Sequence, residues 1–220
     1  MNIELRPLQI DELDRLIEFD KINLCDIMRE IGVPENKCTP SITQAELLAA
    51  MDRGDILSWI FVDDQLAGYI WGEKQADCLF GAGAALMKEF YGLGLIDYLI
   101  VNGEKLAREL SLSICRLAVV PMNGRVINAH LRHGYQVVGY VDAFWGPDRP
   151  DTFRCIMEKN LDRSEVRKEV LDRCETRCTD EDKLRELFDK GYVGVGYHRA
   201  SNGNAAENKI LLELHAPVIL

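Results

Sequence analysis

The sequence has no long apolar run, no excess of positive charge and no low-complexity segment. No stretch reaches the roughly 18 consecutive apolar residues that a membrane-spanning helix needs. The formal net charge of −10 argues against general binding to nucleic acid or anionic membrane, whose phosphates attract Lys and Arg. The first residues, MNIELRPLQIDELD, lack the basic start and apolar block of a signal peptide. We therefore expect a cytoplasmic protein that binds neither nucleic acid nor membrane.

Cysteine is present but shows no pattern of pairs. The seven cysteines are odd in number and scattered, so we expect reduced thiols rather than a disulfide framework. Cys174 and Cys178 stand four residues apart, a spacing at which both side chains would pack on one face of a helix. Two thiols without a His pair at zinc-site spacing do not make a structural zinc site, so no metal is expected.

Apolar periodicity and turn signals predict two parts in the chain. Residues 1–160 read as β-α-α-β-β-β-α-β-α-β-β. Beyond them, a helix capped by Thr179 and ended by Gly191 precedes a hairpin with an Asn202-Gly203 turn. We expect a domain at 1–160 and a small helix-plus-hairpin appendage at 161–220. Such an appendage would extend a sheet, cover a binding site or form a homodimer contact.

The stretch KEFYGLGLIDYLI, residues 88–100, places Gly92 and Gly94 between a small-residue strand, GAGAAL, and an apolar-periodic run from Leu95. The first N–H groups of a helix lack partners and lie at the positive end of its dipole, so anions bind there. Glycines let a phosphate approach this backbone closely. The pattern favours a pyrophosphate cradle, and the alternative is a tight strand-to-helix turn. The expected cradle residues are Phe90, Tyr91, Gly92, Leu93, Gly94 and Leu95.

Two familiar nucleotide sites do not fit this motif. A P-loop requires a Lys-Ser/Thr pair after the second glycine, where the chain has Leu95-Ile96. A dinucleotide fingerprint requires a third glycine, where Asp97 stands.

Together with two motifs that follow it in the chain, the glycine motif makes the sequence resemble the GNAT N-acetyltransferases. Their loop Gln/Arg-x-x-Gly-x-Gly/Ala, which holds the pyrophosphate of coenzyme A, is matched by residues 89–94, EFYGLG. Their Val-x-x-x-Asn is matched by Val119 and Asn123, and their Gly-Phe or Gly-Tyr by Gly134-Tyr135. The resemblance covers about residues 1–160. It implies an α/β fold with a GNAT-like mixed, mostly antiparallel central sheet.

The resemblance also implies direct transfer of an acetyl group from acetyl-CoA, as co-substrate, to a small-molecule or peptide amine. The backbone at Ala82, Gly83 and Ala84 would pair with the pantetheine amides, and the cradle would hold the pyrophosphate. Asn123 would hydrogen-bond the cofactor near its thioester, or would be a helix N-cap alone.

Three positions depart from the family pattern. Glu89 replaces Gln or Arg and brings a like charge toward the pyrophosphate. His130 stands where many relatives have the Tyr that protonates the departing thiolate. A histidine suits that acid role near neutral pH, and the alternative is a half-buried helix residue. Ala118 replaces a glutamate base of some relatives, which leaves water, Glu73 or Asp77 as the base; both carboxylates are otherwise solvated surface groups.

The loop FWGPDRPD, residues 144–151, occupies the place where this family often shapes the acceptor pocket. Its Trp145, Asp148 and Arg149 are candidate acceptor contacts, or members of an exposed structural loop. Two other functions stay open at this point. One is a non-catalytic acyl-CoA-binding or regulatory module, which would explain Glu89, Ala118 and His130 together. The other is an interaction domain whose glycines are only structural.

Overall fold

A computed structural model describes residues 1–33, 42–149, 152–162 and 169–216. Backbone contacts divide the chain into two compact units, Met1–Cys115 and Arg116–Leu220. The predicted boundary near residue 160 falls within the second unit and stays a prediction. Cys38, Pro150 and Asp151 lie outside the described residues.

The first unit is built from antiparallel strands in the order β1-β2-β3-β4, together with helices. Its elements are β1 (Ile3–Pro7), α1 (Leu13–Glu30), α2 (Gln44–Arg53), β2 (Ile56–Val62), β3 (Gln65–Lys74), β4 (Cys78–Leu86) and α3 (Leu95–Glu109). β2 and β3 form an antiparallel hairpin. It turns at Asp63 and Asp64, whose φ values of 46° and 65° are those that two-residue hairpin turns require.

The two faces of this first sheet carry separate hydrophobic clusters. On one face Trp59 and Tyr69, neighbours on β2 and β3, pack with leucines of α1 and α2. On the other face Ile60 packs with Phe90 and Leu95 at the start of α3. Alternation of side chains along β2 puts Trp59 and Ile60 on opposite faces. The β4 strand and the start of α3 are therefore fixed to the same core.

The chain continues through β5 (Ile114–Val119), α4 (Gly124–Arg132), β6 (Gln136–Val141), β7 (Arg154–Asn160), β8 (Val170–Arg177), α5 (Glu181–Asp189), β9 (Tyr192–His198) and β10 (Lys209–His215). Strands of the second unit follow the order β7-β6-β9-β10-β8, and the pairs β6–β7, β6–β9, β9–β10 and β10–β8 are antiparallel. The fold is mixed α/β with a mostly antiparallel open sheet. This confirms the fold class and the element order predicted for residues 1–160.

The C-terminal segment contains the predicted helix and hairpin, with three corrections. A strand, β8, carries Cys174, so the expected helical face shared with Cys178 is wrong. The α5 helix is capped by Asp180, which accepts the Lys183 N–H at 3.1 Å, because the Thr179 hydroxyl donates instead to the Ala206 carbonyl. The predicted turn at Asn202-Gly203 forms, with the Gly203 N–H donating to the Ala200 carbonyl at 3.1 Å, but it lies within a longer connection of residues 199–208 between β9 and β10.

Among the described residues, no helix is both long enough and apolar enough to cross a membrane.

Candidate functional site

The small-residue strand β4 has an interrupted ladder in its middle. Gly83 lies opposite Trp71 of β3, but Gly81 lies opposite the next residue, Gly72, so that Ala82 is an extra residue on β4. Such a bulge re-aims the backbone and is common beside active sites. Ala82 and Gly83 are half-buried and Ala84 is exposed. These side chains are small, so they leave little bulk on either face of the strand.

The glycine motif joins β4 to α3 through a short 3-10 turn, Lys88–Phe90. Gly92 and Gly94 have φ values of 80° and 77°, in the left-handed region that favours glycine. A Cβ added to either would meet no atom within 4 Å. Backbone conformation and open space, rather than packing, therefore account for both glycines.

Gly94 is the N-cap of α3 and has no side chain with which to cap the first turn of the helix. Gly92, Leu93 and Gly94 are exposed, whereas Phe90 and Leu95 on either side are buried. The result is an exposed loop of N–H groups held between two core anchors, which is the geometry of an anion cradle. Glu89 is exposed too, so its carboxylate is solvated.

The two carboxylates considered as bases lie away from Gly83 along the strands. Asp77 is exposed and precedes β4; six extended residues, about 20 Å, separate it from Gly83. Glu73 lies opposite Phe80, about 10 Å from Gly83 on the same estimate. Glu73 contributes to a raised pKa of the Arg53 guanidinium, after the larger effect of the hydrogen bond from Arg53 to Asp55. Their catalytic roles stay predictions.

In the second unit, Asn123 caps α4. Its Oδ1 accepts the Val126 N–H at 3.3 Å, so Asn123 is an N-cap, and its contact with a cofactor stays a prediction. The cap uses only Oδ1, so the side-chain NH2 group is left to donate elsewhere.

His130 is half-buried on α4, as the alternative interpretation had it. Its Nδ1 lies 2.8 Å from the Val126 carbonyl oxygen, so this nitrogen carries the proton and donates. The ring packs edge-on against Tyr135, with centroids 4.9 Å apart. Any proton donated to a substrate would come from Nε2.

The loop after β6 is held by hydrogen bonds to Thr152. The Thr152 hydroxyl donates to the Arg149 carbonyl at 2.7 Å and accepts from the Trp145 N–H at 3.3 Å. Trp145 packs on Phe144, and its buried indole Nε1 has no hydrogen-bond partner within the described ranges. Asp148 is exposed and Arg149 is half-buried. Among the described residues of this loop, Trp145 therefore has a buried indole donor without a partner.

The loop is also held at both stems by α5. Arg185 binds the Asp142 carboxylate at 2.6 to 3.2 Å, and its guanidinium lies 4.9 Å from the ring centroid of Phe153. A helix outside the predicted domain therefore fixes the entry and exit of the loop.

Known proteins resemble this chain in structure, although comparisons by sequence find no match. The sequence matches no protein-family model, and no curated protein is significantly similar to it. Ard1 from Thermoplasma volcanium matches with a TM-score of 0.58 and 16% identity, over 74% of this chain and all (100%) of its own. The PaiA N-acetyltransferase of Thermoplasma acidophilum, crystallised with coenzyme A, gives 0.53 and 21%, over 73% and 99%. A GNAT-family acetyltransferase from Streptococcus pneumoniae gives 0.52 and 14%, over 73% and 99%. This chain has the GNAT acetyltransferase fold.

The GNAT fold confirms the architecture that the motifs implied. The glycine motif enters α3 and Asn123 enters α4, as the resemblance required. Identities of this size establish a common fold and leave the ligand roles of individual residues as proposals.

Within this GNAT fold, sequence reasoning missed a buried pair in the first unit. Asp20 of α1 accepts a hydrogen bond from the Tyr69 hydroxyl, and each residue is 1% exposed. Burial raises the pKa of the Asp20 carboxyl, although Tyr69 and the Ile42 amide lower it. One signal was available: Asp20 continues the apolar stripe of Leu13 and Leu16 on α1.

Two of the buried cysteines, Cys155 and Cys178, are unsuited to act as nucleophiles. Burial raises the pKa of the Cys155 thiol far above its usual range and that of Cys178 to about 12. At such values the reactive thiolate is scarce at neutral pH. In the part of the chain that the structure describes, no three His, Cys, Asp or Glu side chains form a metal-binding group.

Proposed function

We propose that this protein is a cytoplasmic N-acetyltransferase that moves an acetyl group from acetyl-CoA to an amine. One observation carries the proposal: two left-handed glycines with open space around them stand at the uncapped start of α3, directly after a small-residue strand. The GNAT fold supports it, since the PaiA enzyme with this fold was crystallised with coenzyme A.

The described residues fit the chemistry of the cofactor. The N–H groups of residues 92–95 would hold the pyrophosphate, because the first N–H groups of a helix and its dipole both attract an anion. Phe90 and Tyr91 would flank this site, since their N–H groups donate to the Met87 and Lys88 carbonyls. The backbone at Ala82, Gly83 and Ala84 would pair with the pantetheine amides in the manner of an added strand. Glu89 opposes the phosphate charge weakly, because its exposed carboxylate is screened by water.

Bound acetyl-CoA would supply an activated thioester. N–H groups of β4 would donate to the acetyl oxygen as negative charge builds there. The neutral amine would form the new C–N bond as the C–S bond breaks, and the proton of its nitrogen would pass to water or to Glu73 or Asp77. Protonated His130 would give the leaving sulfur a proton from Nε2. Asn123 would donate its side-chain NH2 group near the thioester.

The acceptor would be a small molecule or peptide that carries an amine. Trp145, Asp148 and Arg149 are the proposed contacts, and the Thr152 hydroxyl links the backbone of Trp145 and Arg149 through two hydrogen bonds. The net charge of −10 favours a cationic amine over an anionic one.

Two measurements on the full chain test the proposal. Calorimetric titration should show acetyl-CoA binding, and thiol release from acetyl-CoA should become amine-dependent with at least one member of a broad amine panel. His130→Phe should lower the rate while leaving binding unchanged. Binding without release on any amine would favour the non-catalytic acyl-CoA module. No binding at all would leave the glycines with only a structural role.

A further inference from the structure

Asp20 and Tyr69 form a buried acid–phenol pair that the mechanism above does not use. The Tyr69 hydroxyl donates to Oδ1 of Asp20, while Oδ2 is buried without a hydrogen bond of good geometry in the described part of the chain, where the Ile42 amide is the other polar group near the carboxyl. A buried carboxylate oxygen without a hydrogen bond destabilises a fold, so packing alone does not explain the pair. Buried, perturbed carboxyl groups are more frequent at functional sites.

The pair lies directly beside the glycine strand. A Cβ built on Gly83 would lie 3.5 Å from the Tyr69 hydroxyl oxygen, 3.6 Å from Tyr69 Cε2 and 3.8 Å from Trp71 Cβ. These are ordinary contact distances, so the space beside Gly83 admits one methyl-sized group. A nitrogen in that space would be at the limit of hydrogen-bond distance from the hydroxyl. Gly83 is half-buried, whereas Tyr69 is closed to solvent.

We propose that the space beside Gly83 receives the nitrogen of an unhindered primary amine, whose proton passes to the Tyr69 hydroxyl as the Tyr69 proton passes to Asp20. This rests on the proposed acetyl transfer. The amine enters neutral; its C–N bond forms, its N–H proton moves to the tyrosine oxygen, and the phenolic proton moves to Oδ1. The C–S bond breaks, and the leaving sulfur takes its proton from protonated His130, not from this pair. Tyr69 is then the catalytic residue, and Asp20 is a positioning residue that acts through it.

The Asp20–Tyr69 pair would supply a general base, which this chain lacks at Ala118, where some relatives have a glutamate. The polar groups that face Asp20 are the Tyr69 hydroxyl from β3 and the Ile42 amide before α2. The guanidinium of Arg15, on the same helix, lies over the ring of Trp59, the β2 neighbour of Tyr69. The raised pKa of the Asp20 carboxyl brings it closer to neutral pH, where a general base works best.

Removal of either partner tests the relay. Tyr69→Phe and Asp20→Asn should each lower kcat about 100-fold or more, the usual worth of a general base, with the KM for acetyl-CoA unchanged. The acidic limb of the kcat/KM profile should also disappear in Asp20→Asn. A matched control is Glu104→Gln, which alters another buried acid of the same unit and should leave kcat and the profile unchanged.

A second test fills the space without touching the pair. Gly83→Ala adds a methyl at ordinary contact distances, so the fold should hold while kcat falls about 100-fold through a misplaced nitrogen. Gly72→Ala on β3 is its control, because its Cβ would also meet side chains at 3.5 to 3.7 Å, away from Tyr69. Gly72→Ala should keep full turnover.

A readout independent of turnover completes the experiment. In carboxyl ¹³C NMR of the free protein, Asp20 should titrate above the usual Asp range, and Tyr69→Phe should raise its pKa further because a lowering hydrogen bond is lost. Wild-type protein that acetylates no amine overturns the proposed function, and this inference with it. Wild-type turnover with near-equal rates for Tyr69→Phe, Asp20→Asn and Gly83→Ala overturns this inference alone. If one variant fails to fold, the other two decide.

Discussion

At the scale of single residues, two kinds of glycine must be distinguished. Gly92 and Gly94 have left-handed backbone conformations, and a Cβ on either would meet no atom within 4 Å. Gly83 has an ordinary strand conformation, and a Cβ on it would make ordinary contacts with Tyr69 and Trp71. Alanine therefore strains the first kind and fits the second. Substitution by alanine therefore tests backbone conformation at Gly92 and Gly94, and the use of the adjacent space at Gly83.

Gly94→Ala should weaken acetyl-CoA binding at least about tenfold, because the added methyl intrudes where N–H groups meet phosphate. Gly54→Ala is a matched control: Gly54 ends α2 at φ 76°, also with nothing within 4 Å of a Cβ. Both variants should lose about 1 kcal/mol of unfolding free energy from left-handed strain. Calorimetric titration and chemical denaturation measure the two effects, and equal acetyl-CoA affinity in both variants would refute the cradle.

Asp20 gives a prediction about pH and stability. Its folded pKa is raised above the ordinary 3.8, so between these values the folded chain keeps a proton that the unfolded chain releases. Rising pH therefore favours unfolding across this window. The unfolding free energy of wild type, measured against that of Asp20→Asn, should fall as pH rises from 3.8 and level off above the raised value. A difference that is flat, or that grows with pH, would show that the carboxyl is not buried in this way.

At the scale of elements, the start of α4 depends on β9. A Cβ on Gly124 would lie 2.4 Å from Cε1 of the Tyr197 ring, which can occur only if something shifts. Tyr197 is itself held by a hydrogen bond from Asn208 at 3.1 Å. Because Asn123 caps the same helix end, the C-terminal hairpin helps to position it.

Gly124→Ala should therefore destabilise the protein by about 1–3 kcal/mol, the usual cost of overpacking. Gly103→Ala, in the middle of α3 with nothing within 4 Å, should stabilise it by about 0.5–1 kcal/mol through helix propensity. Thermal and urea unfolding of the two variants compare the effects. Equal shifts in the same direction would contradict the packing of Tyr197 on α4.

Elements that the sequence predicts well are those specified by nearby residues. The β2–β3 turn, the span Cys78–Leu86 of β4 and the glycine entry into α3 all depend on neighbours in the chain. The β8 strand was missed because most of VLDRCETR is exposed, so it lacks the apolar alternation of a half-buried strand. The Asp20–Tyr69 pair was missed because its partners are 49 residues apart and only the fold brings them together.

At the scale of the whole molecule, the C-terminal segment is structurally part of the second unit. Val137 of β6, 0% exposed, pairs with Gly194 of β9, and α5 buries Leu184, Leu187 and Phe188. The boundary expected near residue 161 rests on a change in composition and stays a prediction.

A chain that ends at residue 160 should fold poorly. Without β9, the inner strand β6 becomes an exposed edge, and apolar residues such as Val137 lose their cover. Size-exclusion chromatography and urea unfolding of residues 1–160 should show aggregation or a non-cooperative transition. A monomer with cooperative unfolding would support the boundary predicted from composition.

The central claim is that the diphosphate of acetyl-CoA rests on main-chain N–H groups at the start of α3. Amide ¹H–¹⁵N NMR of the full chain during titration with acetyl-CoA tests it most directly. The account predicts saturable shifts that are largest for the amides of residues 90–95, above all Gly92 and Gly94. Binding that leaves those amides unmoved, or no binding in excess acetyl-CoA, would contradict it.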